Sequence, residues 1–554
     1  MSRTTLSDLG DARMSDDEEQ NSDAARGLRQ ALPWIALVIA TGAGALLSVG
    51  AFLGVYVRPT SDDWCALWKT RDMGVLGITS DFYLTQNGRV TNALLTGLLY
   101  SDGMRGPKLL PAFLVVALGS GLFLLARATL RALRLPFPAA AAAAAVLVLE
   151  ALLFFAGTRS YQVLLWAPAT ISHTLPSVLG VWAVLMAVGA ARSRRRWARG
   201  TAVGAAAVLG TAAGMLSEPF VAMSGLIAAA AGVLCLPRFG RTRDRFASTW
   251  CAAWCLGLLI GLVLLTTSPG ARWRRAQQPK EPLTLAGAGE TVRDWYRIWE
   301  TIGGQWAYVG ALAAGVLLGL AVALSARRPH GGDTGADGEE AGTGRTSGGT
   351  FRVAVLVLPL PLIALGSLVA AYGLRSGYGV GGWTYARTWT SFVVPFLLAL
   401  CGYGAWLGYR LGRGLVAPPA PAAGDGHGLV ASAAPSPSSA AGDGPERGAA
   451  PSPPGVRAAR LAALVVTGAV AVASTAALVP AVRTLTTHTV ARSLAWDRQD
   501  ARIRAEVAAG RSEVTYRPLY IGGLAEPFFT KVYEKDWAAR CTAGYYGVDR
   551  INRP

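Results

Sequence analysis

Eleven apolar runs punctuate this chain, near 31–57, 108–126, 137–156, 174–191, 201–217, 219–236, 246–267, 306–325, 353–373, 391–409 and 460–480. Each is long enough, or nearly so, to cross about 30 Å of hydrocarbon as a helix whose backbone groups pair within the segment. The sequence therefore predicts an all-α polytopic membrane protein with about 11 transmembrane helices. Composition agrees: 52% of the 554 residues are hydrophobic and 16% charged, too apolar a balance for a string of soluble domains. The run 31–57 exceeds a signal-peptide core and lacks a convincing cleavage site, so it reads as a retained first span.

A net charge of +18 would suit a nucleic-acid binder, but the basic residues fall in short clusters between apolar runs and form no stripe. No nucleic-acid partner is expected. Arg127, Arg131 and Arg134 follow the second run; Arg192, Arg194, Arg195, Arg196 and Arg199 follow the fourth; Arg238, Arg241, Arg243 and Arg245 follow the sixth. Such clusters mark cytoplasmic loops. The loop 157–173 carries only Arg159 and the turn 217–219 has no basic residue, as loops on the other side should. The expected localisation is the cell membrane, with the N-terminus cytoplasmic and the C-terminus extracytoplasmic. The outer face then receives 58–107, 157–173, 217–219, 268–305, 374–390 and the tail from 481.

Residues 1–30 read as a disordered cytoplasmic tail. The stretches 327–352 and 410–459, rich in Gly, Ala, Pro, Ser and Asp, read as disordered cytoplasmic linkers. They divide the chain into a transmembrane domain over 31–409, a last helix at 460–480 and an extracytoplasmic tail over 481–554. In the tail Trp496, Ile503 and Val507 recur at helical spacing and 514–521 reads as a strand, predicting a small α+β unit.

Directly after the first run comes Arg58-Pro-Thr-Ser-Asp-Asp-Trp-Cys65. Its paired carboxylates, Asp62 and Asp63, sit at an interface where desolvation and mutual repulsion raise a carboxyl pKa and suit it to general-base work. The plainer account is a solvated helix terminus. Of six cysteines, Cys235, Cys251, Cys255 and Cys401 fall within apolar runs, leaving Cys65 and Cys541 outside. A Cys65–Cys541 bridge follows, tying the tail to the acidic loop. Four histidines without ligand spacing argue against a His-rich metal site; His173 opens the fourth run. No Walker loop, dinucleotide fingerprint or nucleophile elbow is present.

Ser61-Asp-Asp-Trp64, Asn87-Gly-Arg89, Ser217-Glu-Pro219, Ser268-Pro-Gly270 followed by Arg272, Trp496-Asp-Arg498 and Tyr545-Tyr-Gly-Val548 occur in this order. Together they resemble a family of uncharacterised bacterial multi-pass proteins related to the GT-C class of polyprenyl-phosphate-sugar-dependent glycosyltransferases. The resemblance spans nearly the whole chain apart from the N-tail and the two linkers. It implies a GT-C-like fold in which a first-loop acid deprotonates an acceptor hydroxyl as a lipid phosphate leaves. Asp63, placed ahead of Asp62, would be that base, the choice between them being left open.

In that reading Glu218 orients the acceptor or pairs with a site arginine, unless it is a plain interfacial cap before Pro219. Arg272, with Arg274 and Arg275, offers planar donors to the donor phosphate, or binds lipid headgroups generally. Arg89 and Arg387 could hold phosphate or pair with the aspartates. The partners implied are a polyprenyl-phosphate-linked sugar donor, membrane lipids, and an envelope glycan, lipid or protein acceptor. A carboxylate-held Mg²⁺ or Mn²⁺ stays open, since some members of the class need one. Two other functions compete: a transporter or flippase for a lipid-linked sugar, which Glu150 inside a span would suit but the lack of a clear internal repeat disfavours, and a non-catalytic envelope scaffold.

Overall fold

The computed structural model describes residues 6–236, 244–277, 284–326, 356–416, 454–521, 524–526, 528 and 532–554. The chain is a helical, multi-pass membrane protein. Among the described residues eight helical segments are long and apolar enough to cross a membrane: Gly27–Tyr56, Arg105–Ala132, Ala167–Arg192, Arg245–Thr267, Trp306–Ser325, Pro359–Thr384, Ala386–Arg413 and Ala462–Ala508. The other three expected spans are helical but shorter or more polar. Helices α5 (Ala139–Phe155) and α9 (Glu218–Leu234) have 17 residues each, and α8 (Arg196–Gly214) opens on Arg196 and Arg199.

Helix α1 (Leu6–Phe52) starts well ahead of residue 31, so helix continues back through much of the segment read as a disordered tail; its Ala, Leu, Arg and Glu residues are good helix formers. The linker 327–352 lies outside the described residues. Of 410–459, the two ends are helical, because α15 (Thr390–Val416) runs on to Val416 and α16 (Pro454–Ala476) begins at Pro454; 417–453 lie outside the described residues.

Two helix pairs are locked by glycine. Helix α13 (Val309–Ser325), at the centre of the bundle, lies against α15 so closely that a Cβ on Gly315 or Gly319 would meet the carbonyls of Cys401 or Ala405 at 2.1 and 1.9 Å. The reverse holds for Gly404 and Gly408 against Leu312 and Val316, at 2.1 and 2.0 Å. Helices α8 and α10 (Arg245–Thr267) repeat the device through Gly210, Gly214, Gly257 and Gly261. Lipid offers no hydrophobic drive for helices to associate, so backbones that approach this closely gain dispersion contact that larger residues would forbid.

One end of the bundle is basic and simple: Arg192 reaches back to the Ala128 carbonyl and Arg199 to that of Ala191. The opposite end carries the irregular structure. It holds α2 (Asp62–Asp81), kinked at Gly74, then α3 (Val90–Tyr100), α6 (Ala167–His173), α11 (Pro269–Ala276) and α12 (Leu285–Gly303). Amphipathic α12 is pinned to α14 (Pro359–Tyr378): Trp295 and Trp299 both donate to Ser367 Oγ, and Arg375 meets buried Asp294 at 2.9 Å.

From the last span, α17 (Val479–Ala508) carries the chain into the tail. There β1 (Glu513–Thr515) pairs in parallel with β4 (Arg550–Asn552), and β2 (Tyr520–Ile521) antiparallel with β3 (Leu524–Ala525). Helix α18 (Trp537–Tyr546) completes this small α+β unit and packs on α2.

Candidate functional site

The site is built around the turn at 60–63. Asp63 N–H donates to the Thr60 carbonyl at 2.9 Å, and Ser61 holds φ 50°, ψ −119°, the geometry of the first central residue in a type II′ turn. Positive φ at a serine costs roughly 1–3 kcal/mol, held here by the surrounding structure. The turn sends the two acids in opposite directions.

Asp63 points inward and is 1% exposed. Its Oδ2 accepts from the Thr60 N–H at 3.0 Å and its Oδ1 from the Tyr100 hydroxyl. Burial is the main influence on its carboxyl, pushing it up to about 7 against the opposing pull of those two hydrogen bonds. Asp62 is exposed to solvent, with enough protein around its carboxyl to desolvate it in part. Those surroundings raise its pKa, while the charges of Arg387, Arg274 and Arg89 oppose the rise. Asp62 is open to a ligand, and Asp63 is committed to the turn.

The sequence motifs meet in two groups. In the first, Arg89 donates to Glu218 Oε2 at 2.7 Å, and Glu218 Oε1 has no protein partner among the described residues. Gly88, at φ 73°, lies so close to the Ser268 turn that a Cβ would fall 2.0 Å from Ser268 Oγ. A Cβ on Gly270 would likewise meet the Gln86 nitrogen at 2.6 Å. Asn87-Gly-Arg, Ser217-Glu-Pro and Ser268-Pro-Gly are therefore one assembly. His173 Nδ1 lies 3.4 Å from Ser217 Oγ behind it.

In the second group Trp64, wholly buried, is ringed by Trp496, Tyr516, Tyr545 and Tyr546 at centroid distances of 5.2–6.2 Å. Cys65 is joined to Cys541 by a disulfide, with Cα atoms 4.7 Å apart. Arg58 forks onto Asp497 at 2.7 and 3.0 Å. Arg492 of α17 donates to the Arg58 and Pro59 carbonyls and faces buried Glu526, which also accepts from Tyr516 and the Leu519 N–H. The tail thereby grips both ends of the acidic turn.

The arginines of α11 divide. Arg274 acts on Asp62; Arg275 is spent on the Thr266 carbonyl at 2.5 Å; Arg272 is exposed, with no protein partner among the described residues. Arg387 lies 5.2 Å over the Trp166 ring and 4.9 Å over Tyr385, and donates to Gln162 at 3.2 Å. Trp166 and Tyr385 carried no signal in the sequence beyond that of interfacial aromatics, and Gln162 carried none, because their role depends on a loop-to-loop contact. Among the described residues no three His, Cys, Asp or Glu side chains gather as a metal site. Comparison with known protein families, curated proteins and solved structures finds no match to this chain.

Proposed function

We propose that this protein is a membrane glycosyltransferase with a GT-C-like fold that moves a sugar from a polyprenyl-phosphate donor to a cell-envelope acceptor. In this reading all eleven helical passages cross the bilayer, the basic end is cytoplasmic, and the motif-bearing end and C-terminal tail are extracytoplasmic. The observation that carries the reading is the pairing of a solvent-reached carboxylate, Asp62, with the charges of Arg387, Arg274 and Arg89. A base that accepts the acceptor's hydroxyl proton needs a raised but not prohibitive pKa. The planar cations beside it suit the phosphate that departs with the electron pair of the broken glycosidic bond.

Asp62→Asn should lower transfer by about a hundredfold or more while the chain still folds. Mass spectrometry of envelope glycans from a deletion strain, complemented with wild type or Asp62→Asn, checks this. Full restoration by Asp62→Asn would sink the assignment. The lipid-linked-sugar transporter keeps one observation of its own: Glu150, 1% exposed inside α5, has neither carboxyl oxygen paired among the described residues.

A further inference from the structure

Cations that are buried or half-buried at the motif-bearing end are generally neutralised, unlike the exposed arginines of α11. Arg58 meets Asp497, Arg89 meets Glu218, Arg375 meets Asp294 and Arg492 meets Glu526, at 2.7–3.4 Å. Arg159 and Arg387 break the pattern: both are half-buried, yet among the described residues neither forms an ion pair with a carboxylate. Both guanidinium groups nonetheless lie over one ring, that of Tyr385, at 5.7 and 4.9 Å.

Two like charges held on one ring away from bulk water repel each other, and burial together with the Arg387 charge holds Arg159 below its ordinary value. Asp62 feels the Arg387 charge without forming an ion pair with it, and the immediate neighbours are neutral. Gln162 gives one acceptor to Arg387, while the indole N–H of Trp166, beneath Arg387, is buried without a partner. Two half-buried guanidinium groups without an ion pair, beside an unpartnered indole N–H, are complementary to a multiply charged anion. The charges that act on Asp62 are those of Arg387, Arg274 and Arg89, whereas Arg159 couples to Arg387. Arg159 joins Arg387 across the Tyr385 ring, so the two make one patch of positive charge.

We propose that Arg159 and Arg387, stacked on Tyr385, form a clamp for two adjacent phosphates, so that the donor at this site is a sugar diphosphate and not a monophosphate. The inference rests on the glycosyltransferase reading and narrows its donor. In the transfer, the acceptor oxygen bonds to the anomeric carbon and Asp62 receives its proton. The bond from that carbon to the diphosphate oxygen breaks, and its electron pair leaves on the diphosphate. Arg159 holds the phosphate farther from the sugar and touches no reacting atom.

The test is binding to the purified full-length protein in nanodiscs, with inorganic phosphate, inorganic pyrophosphate, farnesyl phosphate and farnesyl diphosphate as probes. Farnesyl diphosphate should bind about tenfold more tightly than farnesyl phosphate, the scale of one charge-assisted hydrogen-bonded contact. Arg159→Gln should erase that preference while leaving monophosphate affinity within about twofold, and Arg159→Lys should keep part of it. Arg387→Gln should weaken both. Pyrophosphate that competes as well as farnesyl diphosphate assigns the clamp to the free anion; competition weaker by about tenfold or more assigns it to a lipid-borne one. Equal affinity for the two farnesyl probes, or an Arg159→Gln loss shared equally by both, overturns the clamp and leaves the Asp62 reading standing. Binding of no phosphate probe removes both. An unchanged melting temperature and an intact Cys65–Cys541 bridge establish that the variants are folded.

Discussion

The paired helices inside the bundle and the rim that bears the motifs are held together by opposite means. Between α13 and α15 nothing charged is needed: glycine lets two backbones touch, and shape alone fixes the pair. At the rim, close glycine contacts recur at Gly88 and Gly270, but polar and covalent ties are added to them. A disulfide, a buried ion pair and a ring of aromatics around Trp64 fasten the tail to the acidic turn. The glycine seam thus tolerates no added atom, while the rim is weakened most by losing a buried partner, and each region should fail in its own way.

The largest effect is expected in the interior. Gly319→Val would place a side chain where the Ala405 carbonyl stands, 1.9 Å from the new Cβ, and that atom belongs to a backbone that cannot step aside. Loss of monodisperse protein in fluorescence-detected size exclusion is the expected result. Gly402→Ala, on the same helix pair but facing open space, should behave as wild type. If the two variants extract alike, glycine contact is not what joins these helices.

At the rim, the strongest expected failure is Glu526→Gln. It leaves Arg492 buried without its counter-charge, a change worth roughly 3–5 kcal/mol when a buried pair is broken. The bundle should survive and the tail should undock, read as protease cleavage within 509–554 with the membrane domain intact. Uniform destabilisation of the whole chain would blur the distinction between the regions.

The third effect is a pH dependence confined to the rim. Asp63 has a folded-state pKa of about 7 against 3.8 when free, chiefly through burial. The folded chain therefore holds a proton that the opened chain releases. The stabilisation that this proton contributes is fully present below about pH 3.8, declines across the interval and is lost once pH passes about 7. Hydrogen exchange of the 60–64 amides should accelerate beyond its intrinsic pH dependence between pH 5 and 7, and Asp63→Asn should remove the excess. Exchange within α13 should show no such term.

How much of this could be read from the sequence follows the same division. Multi-pass helical character was legible because apolar runs of span length leave the backbone little choice. The glycine pairs, too, are visible as four-residue spacings at 315/319, 404/408, 210/214 and 257/261. The rim was legible only as a set of residue types. Nothing in Thr60-Ser61-Asp62-Asp63 announces a positive φ at Ser61, yet that one dihedral decides which acid meets solvent. Arg272 and Arg274 are two residues apart on α11, so they face different ways, and spacing to Pro269 could not reveal that Arg274 is the one acting on Asp62. Arg159 stood out only as a lone cation in a loop; its partnership with Arg387 runs through Tyr385, more than two hundred residues away.

The smallest effect separates two ion pairs within the rim itself. Arg58 and Asp497 form the better geometry, a two-pronged contact at 2.7 and 3.0 Å, whereas Arg492 and Glu526 are 3.4 Å apart. Geometry alone would rank the first pair as stronger. Exposure reverses that order: the Asp497 side chain is 45% exposed and water screens the pair, while the Glu526 side chain is at 0%. Asp497→Asn should therefore cost no more than about 1 kcal/mol, and less as salt rises. A protease-sensitivity profile of the tail measured at low and high salt checks it. A loss as large as that of Glu526→Gln would mean that bidentate geometry, not burial, sets the strength of the tail's attachment.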